Sequence, residues 1–184
     1  MKKTVLIFGL IMGLIFATGT IYMSELLFYK NPEIKSNDLL GYVVMVIIYS
    51  LIFIGIRNYR NNQLNGVISF KKAFKTGALI TLVASTLYVV ISLVYFYKFA
   101  PDYMDKYTEY VLRHTPATEL EAKAQSMEDF KTMYENPLFV VLFTFAEILP
   151  LGLIVTLISA FILKRKRINE IAGHAGQAKK PRQF

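Results

Sequence analysis

The chain has 184 residues, 54% of them hydrophobic, with no cysteine and a formal net charge of +8. It is too apolar for an ordinary soluble domain, and the lack of cysteine excludes disulfides and thiolate metal sites. The apolar residues come in long blocks and not in a helical or strand period, which points to a membrane and away from a water-facing core.

The first block, residues 4–23, follows Lys2 and Lys3. A basic start, an apolar centre and Ala17-Thr18-Gly19 also fit a secretory signal peptide. The block continues to Met23, however, long enough to cross ~30 Å of hydrocarbon, so an uncleaved helix is expected. Gly9, Gly13 and Ala17 are spaced four apart, and small residues at that spacing let two helices approach closely in lipid. A short polar loop leads to a second block, 39–56, whose mid-span polar groups are Tyr49 and Ser50. The next connection carries Arg57, Arg60, Lys71, Lys72 and Lys75 and no acid. Its centre, Asn61, Asn62, Asn65 and Gly66, reads as a turn. Ser69 is placed to cap a helix beginning at Phe70. Beside a membrane span, Lys71-Lys72 reads as an anchor to anionic lipid and not as a nucleic-acid patch.

The third block, 74–97, repeats the small-residue spacing at Gly77, Thr81 and Ser85, and ends in interfacial tyrosines. Residues 98–137 are the only sizeable polar segment and predict an amphipathic helical hairpin. Tyr103, Tyr107, Tyr110 and Val111 share one face of its first helix; Leu120, Ala124, Met127, Phe130 and Tyr134 share one face of its second. Thr115-Pro116 separates the two helices and Asn136-Pro137 ends the second. The fourth block, 138–163, has a small-residue face at Gly152, Thr156 and Ala160. Lys164-Arg165-Lys166-Arg167 stops the crossing, and the basic tail, 168–184, is expected to be disordered.

Lys and Arg concentrate at the N-terminus, the 57–75 connection and the tail, whereas the 98–137 segment carries eight acids. The positive-inside rule then makes both termini cytoplasmic and the hairpin extracytoplasmic. The expectation is one all-α, polytopic membrane domain, 1–167, of four transmembrane helices, with the hairpin between helices three and four. Each half holds one outward and one inward helix and ends in a basic cluster; the only sequence echo, Ser50-Leu51-Ile52 with Thr156-Leu157-Ile158, is short enough for chance.

Several stretches together resemble one family: Leu64-Asn65-Gly66-Val67-Ile68-Ser69-Phe70-Lys71-Lys72-Ala73-Phe74-Lys75-Thr76-Gly77, Ala100-Pro101-Asp102-Tyr103-Met104, Tyr134-Glu135-Asn136-Pro137-Leu138 and Glu147-Ile148-Leu149-Pro150-Leu151-Gly152. The chain as far as Arg167 is similar to an uncharacterised bacterial family, domain of unknown function 4199. The resemblance implies a four-helix inner-membrane protein of Gram-negative bacteria. It brings no activity, substrate or catalytic residue with it.

The chemistry left to the residues is narrow. No nucleotide loop, nucleophile elbow, zinc-protease helix or calcium loop is present. His114 near Glu109 is a lone histidine, seldom a metal ligand. No cofactor or metal is expected, and no nucleic-acid partner. Glu147 stands out as the one ionisable group in the fourth span, and a carboxylate there is expensive enough to mark a candidate site. It lies ~13 Å below the helix start at 1.5 Å per residue, at a depth similar to Tyr49 and Tyr88 on two other helices. Apart from Lys75 at the very start of the third, no Lys or Arg lies in any span, so Glu147 must be protonated, hydrogen-bonded by groups such as Tyr49 or Tyr88, or hydrated from outside. Pro150, three residues on, is expected to bend the helix. The reading is a non-enzymatic inner-membrane protein with an accessory or structural role in the cell envelope. Its expected partners are the bilayer, anionic lipids at Arg57, Arg60, Lys71, Lys72 and Lys164 to Arg167, and copies of itself or other membrane proteins. The rival is a small proton-linked transporter or channel subunit using Glu147.

Overall fold

The structure, a computed structural model, describes residues 1–165. The expected disorder of the tail, and Lys166 and Arg167, lie outside the described residues. The elements are α1 (Lys2–Ser24), α2 (Asp38–Gln63), α3 (Phe70–Val94), α4 (Tyr103–Arg113), α5 (Leu120–Tyr134) and α6 (Pro137–Leu163). Helices α1, α2, α3 and α6 are long and apolar enough to cross a membrane, the first and third when their terminal turns are included.

Side chains explain where the helices begin. Asn37 accepts a hydrogen bond from the Leu40 amide, Ser69 from Lys72 and Asn136 from Leu138, each satisfying an amide that has no partner inside the helix. Pro137 opens α6, where its missing N–H costs nothing. The polar connection after α2 is shorter than the basic run suggests, because α2 continues to Gln63 and carries Arg57 and Arg60 on its last turns. Cations there face the negative end of the helix dipole, and their long stems reach the interface. Asn65 and Gly66 turn the chain with φ of 50° and 82°, a conformation that glycine and asparagine adopt more readily than other residues.

The two halves share a device that the sequence does not advertise. Helices α1 and α3 both loosen into a π-helical turn, Glu25–Lys30 and Tyr95–Phe99. Each turn closes with a bond across five residues, Asn31 N–H to Leu26 O and Ala100 N–H to Tyr95 O, both 2.8 Å. Each is followed by a proline, Pro32 or Pro101, which cannot continue a helix. Helices α1 and α3 run parallel, as do α2 and α6, so the chain repeats one up-and-down hairpin about its middle.

Helix α3 is the centre of the bundle, packing most closely on α1 and α6. Its small-residue faces decide this. A Cβ on Gly9 would meet Val83 at 2.7 Å, and one on Gly13 the Ala84 carbonyl at 2.7 Å. On the other side, Gly77 lies under Thr156 and Gly152 under Thr81. All nine small-face residues, Gly9, Gly13, Ala17, Gly77, Thr81, Ser85, Gly152, Thr156 and Ala160, are buried. Without a hydrophobic driving force in lipid, such close approach and dispersion hold the helices together. Met12, Ile52, Ile56 and Ile80 fill the centre with no exposed surface.

The α4–α5 hairpin covers one end of the bundle; the basic residues gather at the other. Phe28, in the π turn after α1, sits against Tyr103, Tyr107 and Tyr110 of α4. From α5, Phe130 and Tyr134 pack on Phe139 and Phe143 of α6. The expected hairpin faces are therefore the docked ones with one correction. Leu120 is 43% exposed, because a 3-10 turn, Ala117–Glu119, carries the start of α5 away from the bundle. Pro116 precedes that turn and does not itself open α5. Arg113 of α4 pairs with Glu33 of the α1–α2 loop and, within its own helix, with Glu109, and Lys131 of α5 holds Asp105 of α4. Lys106 and Arg113 hold the Glu109 carboxyl below its usual range, and Asp105 holds Lys131 above its own.

Candidate functional site

Glu147 sits on the flank of α6 next to the buried stripe Thr144, Ile148, Gly152 and Thr156. Many protein atoms surround it, yet its own side chain keeps open surface, as a residue on a rim does. The expectation that Tyr49 or Tyr88 bonds it is corrected. The Tyr49 hydroxyl donates to the Ile148 carbonyl at 2.8 Å, and the Tyr88 hydroxyl to Thr20 Oγ1 at 3.3 Å. Glu147 makes no side-chain hydrogen bond and no ion pair among the described residues.

Phe16 fits edge-on against Tyr49 at 5.2 Å and Tyr88 at 6.3 Å, so a ring from α1 packs on both phenols. Sequence depth put the three polar groups on one level but could not reveal where each hydroxyl is aimed. Tyr49 instead braces the α6 backbone two residues before Pro150. Helix α6 is continuous through Pro150, so the residue does not end it. The Ser85 hydroxyl, buried on α3, has no hydrogen-bond partner, an added polar cost near the same depth.

Glu147 faces the hairpin end of the molecule. The Tyr107 and Tyr134 phenols of α4 and α5 are pushed up, first by burial and then by the Glu147 carboxylate. These two tyrosines belong to the surroundings of Glu147, although in sequence they read only as packing residues. No local signal marks them; the hairpin must be folded back over α6 before they come near. Further out, Tyr95 donates to Glu25 at 2.8 Å and Tyr29 to Asp102 at 3.0 Å, tying the two π turns to each other and the first of them to the hairpin base. Tyr110 takes a bond from the Ser36 amide at 2.7 Å and donates to the Ile34 carbonyl at 3.3 Å. His114 is spent on backbone, its Nδ1 2.9 Å from the Tyr110 carbonyl. No group of three or more His, Asp or Glu could hold a metal among the described residues.

At the opposite end the basic residues converge. Arg60 reaches the Leu163 carbonyl at 3.3 Å, and the Arg165 amide donates to the Ile68 carbonyl at 2.9 Å, pinning the end of α6 to the α2–α3 turn. Lys72 lies over the Tyr59 ring and Lys164 over Phe161. Arg57 and Lys71 are exposed beside them.

Four apolar crossing helices with a docked polar hairpin define a multi-pass, all-α membrane protein. The family model described as a protein of unknown function, DUF4199, matches residues 7–165. The chain belongs to that family. No curated protein and no solved structure matches it.

Proposed function

We propose that this is a non-enzymatic accessory protein of the bacterial inner membrane, with both termini cytoplasmic and the hairpin outside, acting through other envelope proteins. The observation that carries this reading is the closed seam between α3 and α6. Gly77 against Thr156 and Gly152 against Thr81 leave no room for even a methyl group. Met12, Ile52, Ile56 and Ile80 fill the space beside it. A proton or ion leaving Glu147 toward the basic end would have to cross this close-packed plug, where the Thr81 and Thr156 hydroxyls lie 3.5 Å apart with no space for water between the helices. The basic cluster of Arg57, Arg60, Lys71, Lys72, Lys164 and Arg165 supports anchoring to anionic lipid, worth ~1 kcal/mol per residue near the surface.

Proton-linked transport through Glu147 remains the second reading, supported by a mid-span carboxylate that has open surface and no bonded partner among the described residues. Proton flux into liposomes that enclose a pH-sensitive dye separates the two. Under the accessory reading, wild type and Glu147→Gln leak alike, and crosslinking in native membranes captures other envelope proteins. A flux lost in Glu147→Gln would replace this reading with transport.

A further inference from the structure

The repeated hairpins differ in one respect. In the second, α3 and α6 are in contact along their length. In the first, α1 and α2 touch from the basic end, where Gln63 bonds Thr4 at 2.8 Å and Phe8 lies against Gly55, as far as Phe16 and Tyr49 at mid-span. Toward the hairpin end they splay. The gap is a hollow of about 400 Å³ lined by Gly19 and Met23 of α1 and by Leu40, Gly41, Val44 and Ile48 of α2. A Cβ on Gly19 or Gly41 would meet nothing within 4 Å. Every residue of 39–47 except Met45 is exposed, so that half of α2 is bare of protein.

The hollow lies within two membrane spans, so it opens onto hydrocarbon. Its walls are apolar but for Thr20 and Ser24, and so apolar a slot holds water poorly. A slot of this size between two helices accommodates a single hydrocarbon chain. The mouth completes the match. Ser36 and Asn37 line it, and Lys35 beside them makes no ion pair among the described residues. The Lys35 cation and the Asn37 amide above an apolar slot complement a phosphate above an acyl chain.

We propose that the α1–α2 hollow binds one phospholipid of the leaflet on the hairpin side, its acyl chain along Gly19, Gly41 and Val44 and its phosphate at Lys35. The lipid is a structural component that fills the seam which protein fills in the second repeat. This depends on the membrane fold and not on the accessory reading.

The test uses the full chain in nanodiscs of phosphatidylethanolamine and phosphatidylglycerol, the former carrying a photoactivatable diazirine in its acyl chain. After illumination, adducts mapped by mass spectrometry should concentrate in residues 15–24 and 40–48, severalfold above the equally bare face of α6 at 153–162. Gly19→Phe with Gly41→Phe fills the slot with side chains that meet no obstacle at Cβ, so melting should be unchanged and adducts should fall to the α6 level. Gly41→Phe alone gives a milder filling should the pair fold poorly. Lys35→Gln should speed loss of co-purified lipid on detergent exchange. Even labelling of α1, α2 and α6, or labelling that survives both fillings, overturns the proposal. So does efficient Val44→Cys disulfide dimerisation in membranes, which would give the face to a second copy of the chain.

Discussion

Replacing Gly152 with alanine adds one methyl group at the tightest point of the bundle. Its Cβ would stand 2.3 Å from Thr81 Cγ2, 3.0 Å from Oγ1 and 3.2 Å from Cβ. Thr81 is β-branched and fully buried, so turning about χ1 only exchanges one obstructing atom for another. The helices must separate, and forcing an extra methyl into a packed core costs ~1–3 kcal/mol. Alanine in place of glycine recovers ~0.5–1 kcal/mol of helix propensity, leaving a net loss of about 1–2 kcal/mol. The same change at Gly19, where the methyl meets nothing within 4 Å, should leave stability equal or slightly higher. Thr81→Ala removes the obstructing atoms, so the Gly152→Ala and Thr81→Ala pair should be more stable than the two single losses summed. The coupling should fall within the ~0.5–3 kcal/mol typical of contacting residues. Reversible unfolding of the four proteins in mixed micelles measures the cycle. If Gly152→Ala were as stable as Gly19→Ala, or if Thr81→Ala gave no rescue, the α3–α6 seam would not be the packed interface described here.

Single cysteines at Ser126 and Asn62, both exposed, should differ in labelling by an impermeant reagent on intact cells, Ser126 reacting and Asn62 not; the reverse pattern would invert the proposed topology. Tyr49→Phe removes the donor to Ile148 and should cost ~0.5–1.5 kcal/mol, whereas Tyr42→Phe, on the bare part of α2, should cost nothing measurable in the same unfolding assay. Tyr107 and Tyr134 are held neutral more firmly in the folded hairpin than in an unfolded one. Their contribution is fully present below the unfolded phenol value of ~10 and is lost as pH rises through the folded value. Protease sensitivity of the hairpin should therefore increase in alkaline solution, and less so in the Tyr107→Phe, Tyr134→Phe protein; equal alkaline sensitivity in both would mean that these phenols do not hold the hairpin down.

The four crossings and their small-residue faces were legible because each is a property of contiguous residues. An apolar run long enough for the bilayer admits few other structures, since backbone groups in lipid must be satisfied within the helix. Spacing four apart at Gly77, Thr81 and at Gly152, Thr156 puts both sets on single stripes, and two such stripes meet more easily with each other than with bulky neighbours. The cap at Ser69 was equally local. The surroundings of Glu147 were not. Depth arithmetic places residues along the membrane normal but carries no information about azimuth, and azimuth decided where the Tyr49 and Tyr88 hydroxyls are aimed. The π turns were hidden for a related reason: an i→i+5 bond leaves no mark on composition, and only the paired Pro32 and Pro101 hinted that two helices end alike.

The repeat gives the asymmetry of the molecule a physical meaning. Both halves use the same first helix, π turn and proline, followed by a capped second helix. The second half inserts α4 and α5, and Phe130 and Tyr134 of that insert brace α6 at its hairpin end. The first half has no such insert; Tyr110 holds the chain at Ser36, but residues 39–47 of α2 beyond it are almost bare of protein, which is where α2 splays from α1. Splaying and the hairpin are two consequences of one difference in loop length. Grafting a helical hairpin onto the α1–α2 loop would be expected to close the hollow, and shortening the 98–137 segment to open the α3–α6 seam near Glu147. The stability of the bundle and the accessibility of its one buried-depth carboxylate are thus coupled through the hairpin, not through the crossing helices themselves.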